Sequence, residues 1–464
     1  MIALINNNFP AIAGISPWVW LPLVAMSIAV IALAIFGKVP LAYVFGNLAV
    51  RWRTTFLTAL AFTLVISLLT VMMAFVNGMY ALTKGSGHPE NLIILSEGAT
   101  DEGFSNLGFG DVGDIENQPG ITRVDNQPQV SRETYIVVNQ PIEKAFPGRP
   151  KRRFLQLRGI QDATIAAQVH GIELFPGGEW FSGAGVREAA GGKNDRPLVE
   201  VVIGEGIARE MGKDRAPSPS FFQRVFGLAK EPPRLEVGDT FELNDRTWIV
   251  AGVMQSSGST FDSELWAKQS LIGPLFGKET YSTLIARSDD AASAQRLREY
   301  FSTEYKKAKL NTQVETEYFA KLSQTNVQFL FAIGLVTVFL AIGGMFGIMN
   351  TMFAAISQRI KDIGVLRLLG YRRRHILATF LLEAVAIALV GGLLGCALGA
   401  LCDGWSANSI VSSGPGGGKF VVLKLTVDSQ TIAVNLLLTL AMGLFGGLLP
   451  SLRAMRLTAL ETLR

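Results

Sequence analysis

Cysteine and histidine are nearly absent from this chain of 464 residues, which has two cysteines and three histidines. The cysteines, Cys396 and Cys402, lie in one apolar stretch, so we interpret them as small packing residues and not as a disulfide framework. The histidines, His88, His170 and His375, are far apart, and no spacing typical of a metal site or of a serine–histidine–aspartate triad surrounds them. The sequence therefore predicts a protein that is not an enzyme and has no metal site.

Charged residues are also few, at 17% of the chain, and they are unevenly spread. Of the 80 charged side chains, 61 lie between residues 84 and 323. The charge-poor parts contain uncharged runs too long for the helices of a soluble core, which excludes a single soluble globule. This pattern predicts a membrane protein with a large soluble insert.

Five uncharged or nearly uncharged runs are long enough to cross a hydrocarbon layer of about 30 Å as helices. The first has its apolar core at residues 17–36, and the others lie at 53–84, 321–359, 375–403 and 428–453. The first run has no basic segment before it, so cleavage as a signal peptide is the less favoured alternative. We therefore predict five transmembrane helices.

Basic residues predict the orientation, because short loops rich in lysine and arginine stay in the cytoplasm. Such residues collect between the first two runs, between the third and fourth, and after the fifth: Lys38, Arg51, Arg53, Arg359, Lys361, Arg367, Arg372, Arg373, Arg374, Arg453, Arg456 and Arg464. We therefore expect the N-terminus and residues 84–323 outside the cytoplasm and the C-terminus inside.

The soluble insert alternates strand-like with helix-like segments, which predicts an α+β domain. The predicted helices are Ile207–Met211 and Ala291–Tyr305, the second after an acidic capping segment. Residues 186–197 and 213–239 are rich in glycine, proline and charge and are typical of surface loops. The predicted strands are Asn91–Ser96, Thr134–Asn139, Phe154–Leu157, Val199–Ile203, Thr240–Leu243, Thr247–Met254 and Ser282–Ala286.

Two glycine-rich segments match phosphate-binding motifs only superficially. The segment 108–113 fits GxGxxG, but no strand precedes it and no βαβ unit follows. The segment 414–420 has phenylalanine where a phosphate loop has the serine or threonine that binds Mg²⁺. We therefore expect no nucleotide or other cofactor on this chain.

Glycines recur at four-residue spacing in three of the predicted spans. Such spacing leaves one helix face without side chains, so that two backbones can pack closely in lipid. We expect helix packing, within the bundle and at a subunit interface, at Gly343, Gly347, Gly391, Gly395, Gly399, Gly443 and Gly447.

Glu383 is the only ionisable residue deep in a predicted span, where a charge is costly to bury. It lies two helical turns beyond His375, near the predicted cytoplasmic surface. We interpret it as an intramembrane polar contact, an ion pair or hydrogen bond to a basic neighbour. A proton or substrate relay is the less favoured alternative.

The most informative segment is 358–376, which joins the third and fourth spans. Its apolar residues, Ile360, Ile363, Val365, Leu366, Leu368 and Leu369, recur at roughly helical spacing. The polar side of this amphipathic helix is marked by Arg359, Lys361, Asp362 and Arg367, and Gly370 suits its end. The segment is either a plain interfacial anchor or a helix that docks in a groove of a cytoplasmic partner.

This segment resembles the FtsX-like, MacB-type ABC transporter permeases, whose loop reads approximately R-x-x-[DE]-I-G-x-L-R-A-x-G. The motif falls on Arg359, Asp362, Ile363, Gly364, Leu366, Arg367 and Gly370, with Leu368 in place of the alanine. The C-terminal segment 450–464 is similar to the family ending, with Ala459 replacing its second proline. The amphipathic segment 40–53 and short stretches of the insert extend the resemblance over about residues 40–464.

The apolar runs and the resemblance together predict a four-part chain, in which the first span is additional to the four-helix core of the family. An extra N-terminal transmembrane helix (1–38) precedes an amphipathic cytoplasmic segment with the first core helix (39–83). A MacB-type extracytoplasmic core domain (84–323) is followed by an FtsX-like permease domain (324–464) with three transmembrane helices. The fold class expected is thus a helical membrane bundle, a four-helix core plus one span, with a large α+β domain.

The resemblance further implies a permease subunit of a bacterial cytoplasmic membrane transporter, without an ATPase of its own. ATP and Mg²⁺ would be bound by a cytosolic ABC ATPase that contacts segment 359–370 as a coupling helix. Expected partners are a second permease copy, in a homodimer or heterodimer, a periplasmic adaptor and membrane lipid, but not nucleic acid. A membrane sensor or scaffold, or a regulator of cell-wall hydrolases, is the alternative; the substrate and the direction of work stay open.

Overall fold

The computed structural model describes residues 52–84, 86–142, 151–188, 196–215, 234–255, 258–322, 324–411 and 419–456, with single positions 25, 28, 32, 46 and 50 before them. The predicted first span and amphipathic segment therefore lie outside the described residues, apart from those positions and Trp52–Arg53. The same holds for residues 457–464 and most of the loop 213–239.

The helices of the described chain are α1 (Trp52–Lys84), α2 (Ala163–His170), α3 (Glu205–Gly212), α4 (Gln269–Phe276), α5 (Ala291–Thr303), α6 (Glu315–Leu322), α7 (Gln324–Gln358), α8 (Ile360–Leu368), α9 (Arg373–Ala400) and α10 (Ser429–Arg456). The strands are β1 (Asn91–Ser96), β2 (Arg123–Val124), β3 (Gln127–Pro128), β4 (Val130–Pro141), β5 (Arg152–Ile160), β6 (Val186–Arg187), β7 (Leu198–Gly204), β8 (Thr240–Leu243), β9 (Arg246–Met254), β10 (Glu264–Lys268), β11 (Thr283–Arg287), β12 (Leu310–Val314), β13 (Ser406–Val411) and β14 (Lys419–Lys424).

The chain forms two compact units. The membrane unit contains the described residues up to Asn77 together with 329–405 and 425–456. The outer unit contains 78–328 and a separate segment, 406–424. The outer unit is thus built from two stretches of chain that are far apart in sequence.

Four helices of the described chain are long and apolar enough to cross a membrane, at Trp52–Leu82, Leu330–Gln358, Arg373–Ala400 and Ser429–Arg456. They correspond to the second to fifth predicted spans. The predicted helical membrane bundle with an α+β outer domain is therefore confirmed as a fold class. The fifth helix of that prediction, the N-terminal span, falls outside the described residues.

Helix α9 packs against α1 along its glycine face. A Cβ atom at Gly391 would lie 2.6 Å from the Ala59 carbonyl oxygen, and one at Gly395 would lie 2.8 Å from the Ile66 Cβ. Gly399 similarly faces Thr70. Since real Cβ atoms do not approach so closely, glycine is what allows these two helices to touch.

Helix α10 uses its own glycines against α9. A Cβ at Gly443 would lie 2.9 Å from the Ala388 Cβ, and one at Gly447 would lie 2.6 Å from the Ala384 Cβ. Asn435, also on α10, donates a 3.0 Å hydrogen bond from Nδ2 to Thr70 Oγ1 of α1. The three helices are therefore joined by close backbone approach and a buried polar contact.

Gly343 and Gly347 on α7 do not pack within the described part of the chain, because a Cβ at either would meet no atom within 4 Å. The neighbouring Gly344 instead faces Met442 of α10. One residue turns a helix by about 100°, so the face that packs inside this chain is not the one predicted. Their role at a subunit interface stays a prediction.

The outer unit is built on one mixed sheet of ten strands in the order β12-β1-β11-β4-β5-β10-β7-β9-β8, with β6 beside β7. Parallel pairing occurs between β5 and β10 and between β7 and β9, and the other neighbours run antiparallel. One apolar cluster surrounds Trp248 and Leu157 with residues of α3 and α4. Another surrounds Leu284 with residues of α5, including Phe301.

Segments of the insert with a clear apolar pattern were placed correctly by the sequence. Asn91–Ser96 and Thr240–Leu243 match β1 and β8, and Asp290 caps α5 by accepting a 2.6 Å hydrogen bond from the Ser293 backbone. The sequence did not predict β10, β12, α2, α4 or α6. Strand β12 reads Leu-Asn-Thr-Gln-Val, so polar residues hide its strand character.

The segment between α9 and α10 forms a hairpin, β13–β14, that the sequence did not predict. It belongs to the outer unit. The Val422 backbone donates a 2.8 Å hydrogen bond to Ser263 Oγ, and Lys213 Nζ donates one of 2.6 Å to Ser406 Oγ. The hairpin is therefore a structural part of the α+β domain.

Candidate functional site

The segment between α7 and α9 contains the predicted coupling residues. Helix α8 starts directly after Arg359 and is ended by Gly370, whose φ of 91° is the left-handed conformation that glycine adopts easily. The Tyr371 backbone donates a 3.1 Å hydrogen bond back to the Leu366 carbonyl, which closes this helix end. Helix α8 thus lies in the chain between two candidate membrane spans, α7 and α9.

Helix α8 and the residue that follows it have three exposed large apolar side chains. Val365 is 50% exposed, Leu368 64% and Leu369 70%. Ile363 and Gly364 are buried against the bundle, whereas Leu366 and Arg367 are half-buried and Asp362 is exposed. The helix therefore has one anchored side and one uncovered apolar side, which we call the α8 patch (Val365, Leu368 and Leu369).

Arg359 lies elsewhere than predicted. The sequence placed it on the exposed polar side of the helix, but its side chain is buried. It donates two hydrogen bonds to Glu383, from Nη1 to Oε2 at 2.9 Å and from Nη2 to Oε1 at 2.8 Å. Burying both charges is tolerated because each satisfies the other, and the polar contact expected of Glu383 is an ion pair with Arg359. The coupling role of Arg359 stays a prediction.

A small cavity of ≈ 60 Å³ borders this pair. It is lined by residues from α1 (Thr54, Thr55), from the end of α7 (Thr351, Met352, Ala354, Ala355, Gln358) and from α9 (Ile387), together with Arg359 and Glu383. Three membrane helices therefore meet at the point where α8 begins.

The outer unit contains a second site, which we call the charged network. Arg158 on β5 donates from Nε to Glu264 at 2.6 Å and from Nη1 to Glu102 at 2.6 Å, and it also pairs with Glu133. All four side chains are no more than 2% exposed. The guanidinium also lies 5.3 Å from the ring centroid of Tyr135, which adds a cation–π contact.

His170 extends the network to α6. Its Nε2 contacts Glu133 Oε1 at 2.6 Å, and its Nδ1 lies 3.6 Å from Glu315 Oε1. Glu315 Oε2 accepts hydrogen bonds of 2.9 Å from the His88 backbone and from Asn91 Nδ2. The network thus links the chain just after α1 with the start of α6, just before α7.

The charges set one another's protonation. Burial would lower the pKa of His170, but Glu133 and Glu315 outweigh that effect and raise it from 6.5 to about 9. Burial would raise the pKa of Glu133 and Glu315, but the contacts with His170, and for Glu133 also Arg158, hold both below their ordinary values. At neutral pH His170 is therefore charged.

The sequence pattern did not predict the charged network. The spacing of the three histidines argued only against a metal site and a catalytic triad. The described residues contain no cluster of three or more His, Cys, Asp or Glu arranged to hold a metal ion. One signal was present: Arg158 and Glu264 each lie in a strand next to a leucine, Leu157 and Leu265, at positions where charge is unusual. Recognising the site required knowing that β4, β5 and β10 are neighbours.

The fold defines a multi-pass membrane protein with a large extracytoplasmic α+β domain. Two family models match it: the MacB-like periplasmic core domain over residues 55–303 and the FtsX-like permease C-terminal domain over residues 334–459. The chain belongs to this MacB/FtsX-type family of ABC transporter permeases.

Several relatives agree with this assignment. The macrolide export ATP-binding/permease protein MacB of Burkholderia lata is 22% identical over 392 residues, which cover 80% of this chain and 52% of that protein. An ABC transporter permease of Methanocaldococcus jannaschii is 27% identical over 237 residues, covering 50% of this chain and 58% of that protein. The chain spans about half the length of these curated relatives.

Among solved structures, the periplasmic region of MacB from Actinobacillus actinomycetemcomitans is similar to this chain. It is 17% identical, covers 52% of this chain and 94% of its own, and has a TM-score of 0.30.

Proposed function

We propose that this chain is the permease subunit of a transporter in the bacterial cytoplasmic membrane, and that it couples ATP hydrolysis by a separate cytosolic ATPase to movement of its outer domain. That movement would export or extract a substrate. The observation that carries the proposal is the α8 patch. It is a set of uncovered apolar side chains on a short helix held between two spans.

The patch suits a protein groove because its apolar side chains are flanked by charge. Lys361 and Asp362 are exposed on the same helix, so a partner can bury the patch and keep a polar rim. Ile363 is buried in the bundle, which fixes α8 from the other side. Force applied to the patch would therefore reach the membrane helices.

The energy source in this proposal is the partner. ATP and Mg²⁺ would bind to the ATPase, and this chain would carry no cofactor and no catalytic group. A second permease copy, a periplasmic adaptor and membrane lipid complete the proposed assembly. The unfilled glycine face at Gly343 and Gly347 is one place where the second copy would fit.

The test compares two variants of the tagged full chain in its native host. Leu368→Asp places a charge in the α8 patch, where Leu368 is 64% exposed and its change leaves the bundle intact. We expect it to reduce copurification of an ABC ATPase at least tenfold, because an apolar anchor at an interface carries much of the affinity. The matched control Lys361→Ala should retain the ATPase, since an exposed charge is screened by salt.

Two outcomes would overturn the proposal. If the unchanged chain copurified with no ABC ATPase, the sensor or scaffold alternative would replace it. If Leu368→Asp retained the ATPase as fully as Lys361→Ala does, the patch would not be the docking surface.

A further inference from the structure

Arg359 occupies the break between α7 and α8. Its backbone N–H donates a 3.0 Å hydrogen bond to the Ile356 carbonyl, and its own carbonyl accepts one of 3.0 Å from Ile363. The residue is therefore the last hydrogen-bonded step of one helix and the first of the next. Any displacement of α8 relative to α7 has to move it.

The side chain of Arg359 fixes this junction to a third helix. Glu383 lies ten residues into α9, which is about 15 Å along its axis at 1.5 Å per residue. The two parallel hydrogen bonds, 2.9 and 2.8 Å, set both the distance and the orientation of the pair. The guanidinium also lies 5.9 Å from the ring centroid of Phe380, one turn before Glu383.

Stability alone does not account well for such a pair. Two buried charges gain little over two apolar side chains of similar size, because both lose their hydration. What the pair provides is geometry: an apolar contact can slide, whereas a forked double hydrogen bond holds one relative position. The cavity beside the pair is lined in part by α1 and offers space there, so that the linked side chains have room to shift together.

The far side of Glu383 is connected to the rest of the bundle. The next residue, Ala384, faces Gly447 of α10, and Gly391 two turns later faces Ala59 of α1. At these contacts the backbones approach too closely for side chains to absorb a displacement. A shift of α9 at Glu383 is therefore passed to α10 and α1.

We propose that Arg359 is a positioning residue, and that the Arg359–Glu383 pair is the rigid link through which movement of α8 reaches α9. This inference rests on the proposed coupling function for its purpose. The link itself is a property of this chain and can be measured without the ATPase.

The first test uses the full chain in lipid nanodiscs and measures amide hydrogen exchange. The double variant Arg359→Met/Glu383→Leu removes both charges and keeps the bulk, so no buried charge is left alone. We expect exchange in residues 360–368 to accelerate at least tenfold. The matched control Asn435→Leu/Thr70→Val removes another buried interhelical contact, between α10 and α1, and should leave exchange in 360–368 unchanged.

Two further variants keep the test decisive if the double variant Arg359→Met/Glu383→Leu, which we call the apolar pair, does not fold. Arg359→Lys retains the charge but loses the fork, and we expect an intermediate acceleration. The exchanged pair Arg359→Glu/Glu383→Arg restores a forked contact and should slow exchange relative to either single reversal. If Arg359→Lys and the apolar pair both exchanged like the unchanged chain, the pair would not position α8 and the proposal would be wrong.

The second test separates this link from the proposed function. With the copurified ATPase, we expect the apolar pair to keep ATPase binding while the ATP-dependent change of exchange in α9 falls at least fivefold. An undiminished ATP-dependent change in α9 would overturn the link. If no ATPase bound the unchanged chain, the proposed function would fail, and the first test would still decide whether Arg359 positions α8.

Discussion

Arg158 pairs with three buried carboxylates of the outer domain, because Glu102, Glu133 and Glu264 share its one guanidinium. We expect Arg158→Leu to destabilise the outer unit by about 3–5 kcal/mol, since it leaves buried carboxylates without their cation. Thermal unfolding, followed by hydrogen exchange of β4, β5 and β10 in the full chain, would measure this.

The matched control for Arg158 is Arg187→Ala. Arg187 also pairs with a carboxylate, Glu200, but its side chain is 48% exposed. Such a pair contributes roughly 1 kcal/mol or less. Similar losses of stability in both variants would show that the buried network contributes no more than an exposed ion pair.

His170 gives the outer domain a dependence on pH. Its pKa is raised to about 9, so its charge contributes stability that is complete below about pH 6.5 and is lost as the pH rises through 9. We expect the free energy of unfolding of the outer unit to fall between pH 6.5 and 10, by up to about 3 kcal/mol. In His170→Gln this slope should disappear; a slope that persisted unchanged would contradict the assignment.

Glu383 and Arg158 show which side-chain contacts the sequence could predict and which it could not. Glu383 could be predicted to contact a basic neighbour because its cost in lipid is visible from its position alone. Its partner, Arg359, could not be identified from the sequence, because Arg359 lies among the polar residues of an amphipathic pattern. The charged network is harder still: Arg158 and Glu264 are 106 positions apart, and only strand order brings them together.

At the scale of elements, the sequence predicted the helices and strands that are determined by their own apolar pattern. The long apolar helices and strands such as β1 and β8 agree with the sequence because their apolar residues face a core or lipid. Strands β10 and β12 and hairpin β13–β14 were missed because tertiary contacts, and not their own composition, hold them as strands.

The contact between α9 and α1 gives a prediction for this scale. Gly395→Leu should lower the stability of the membrane unit by about 1–2 kcal/mol or more, because a Cβ there would overlap Ile66. Thermal unfolding in detergent measures it. Gly343→Leu is the matched control, since a Cβ there meets open space within the chain; equal losses would mean that the glycine faces are not what packs the helices.

The hairpin β13–β14 gives a second prediction at the scale of elements. Ser263→Val removes the acceptor of the 2.8 Å hydrogen bond from the Val422 backbone. We expect faster hydrogen exchange in residues 419–424, by about five- to tenfold if the bond contributes roughly 1 kcal/mol. Exchange in β8, which does not contact the hairpin through this bond, should stay unchanged; equal acceleration in both would point to general destabilisation.

At the scale of the whole molecule, charge distribution predicted the division into an apolar helical part and a charged α+β part. In a variant without Cys396 and Cys402, a cysteine at Lys151 should react with an impermeant thiol reagent in intact cells. A cysteine at Arg367 should react only after the membrane is opened. The reverse labelling pattern would overturn the orientation.

The two-segment origin of the outer unit has a consequence for the order in which the protein is made. Residues 78–328 leave the ribosome first, and residues 406–424 follow after two more spans have been synthesised. At about 5–20 residues per second, this interval lasts on the order of 5 to 20 seconds. During that time the surface around Ser263 lacks the hairpin β13–β14, so the α+β domain is completed only after α9 has been synthesised.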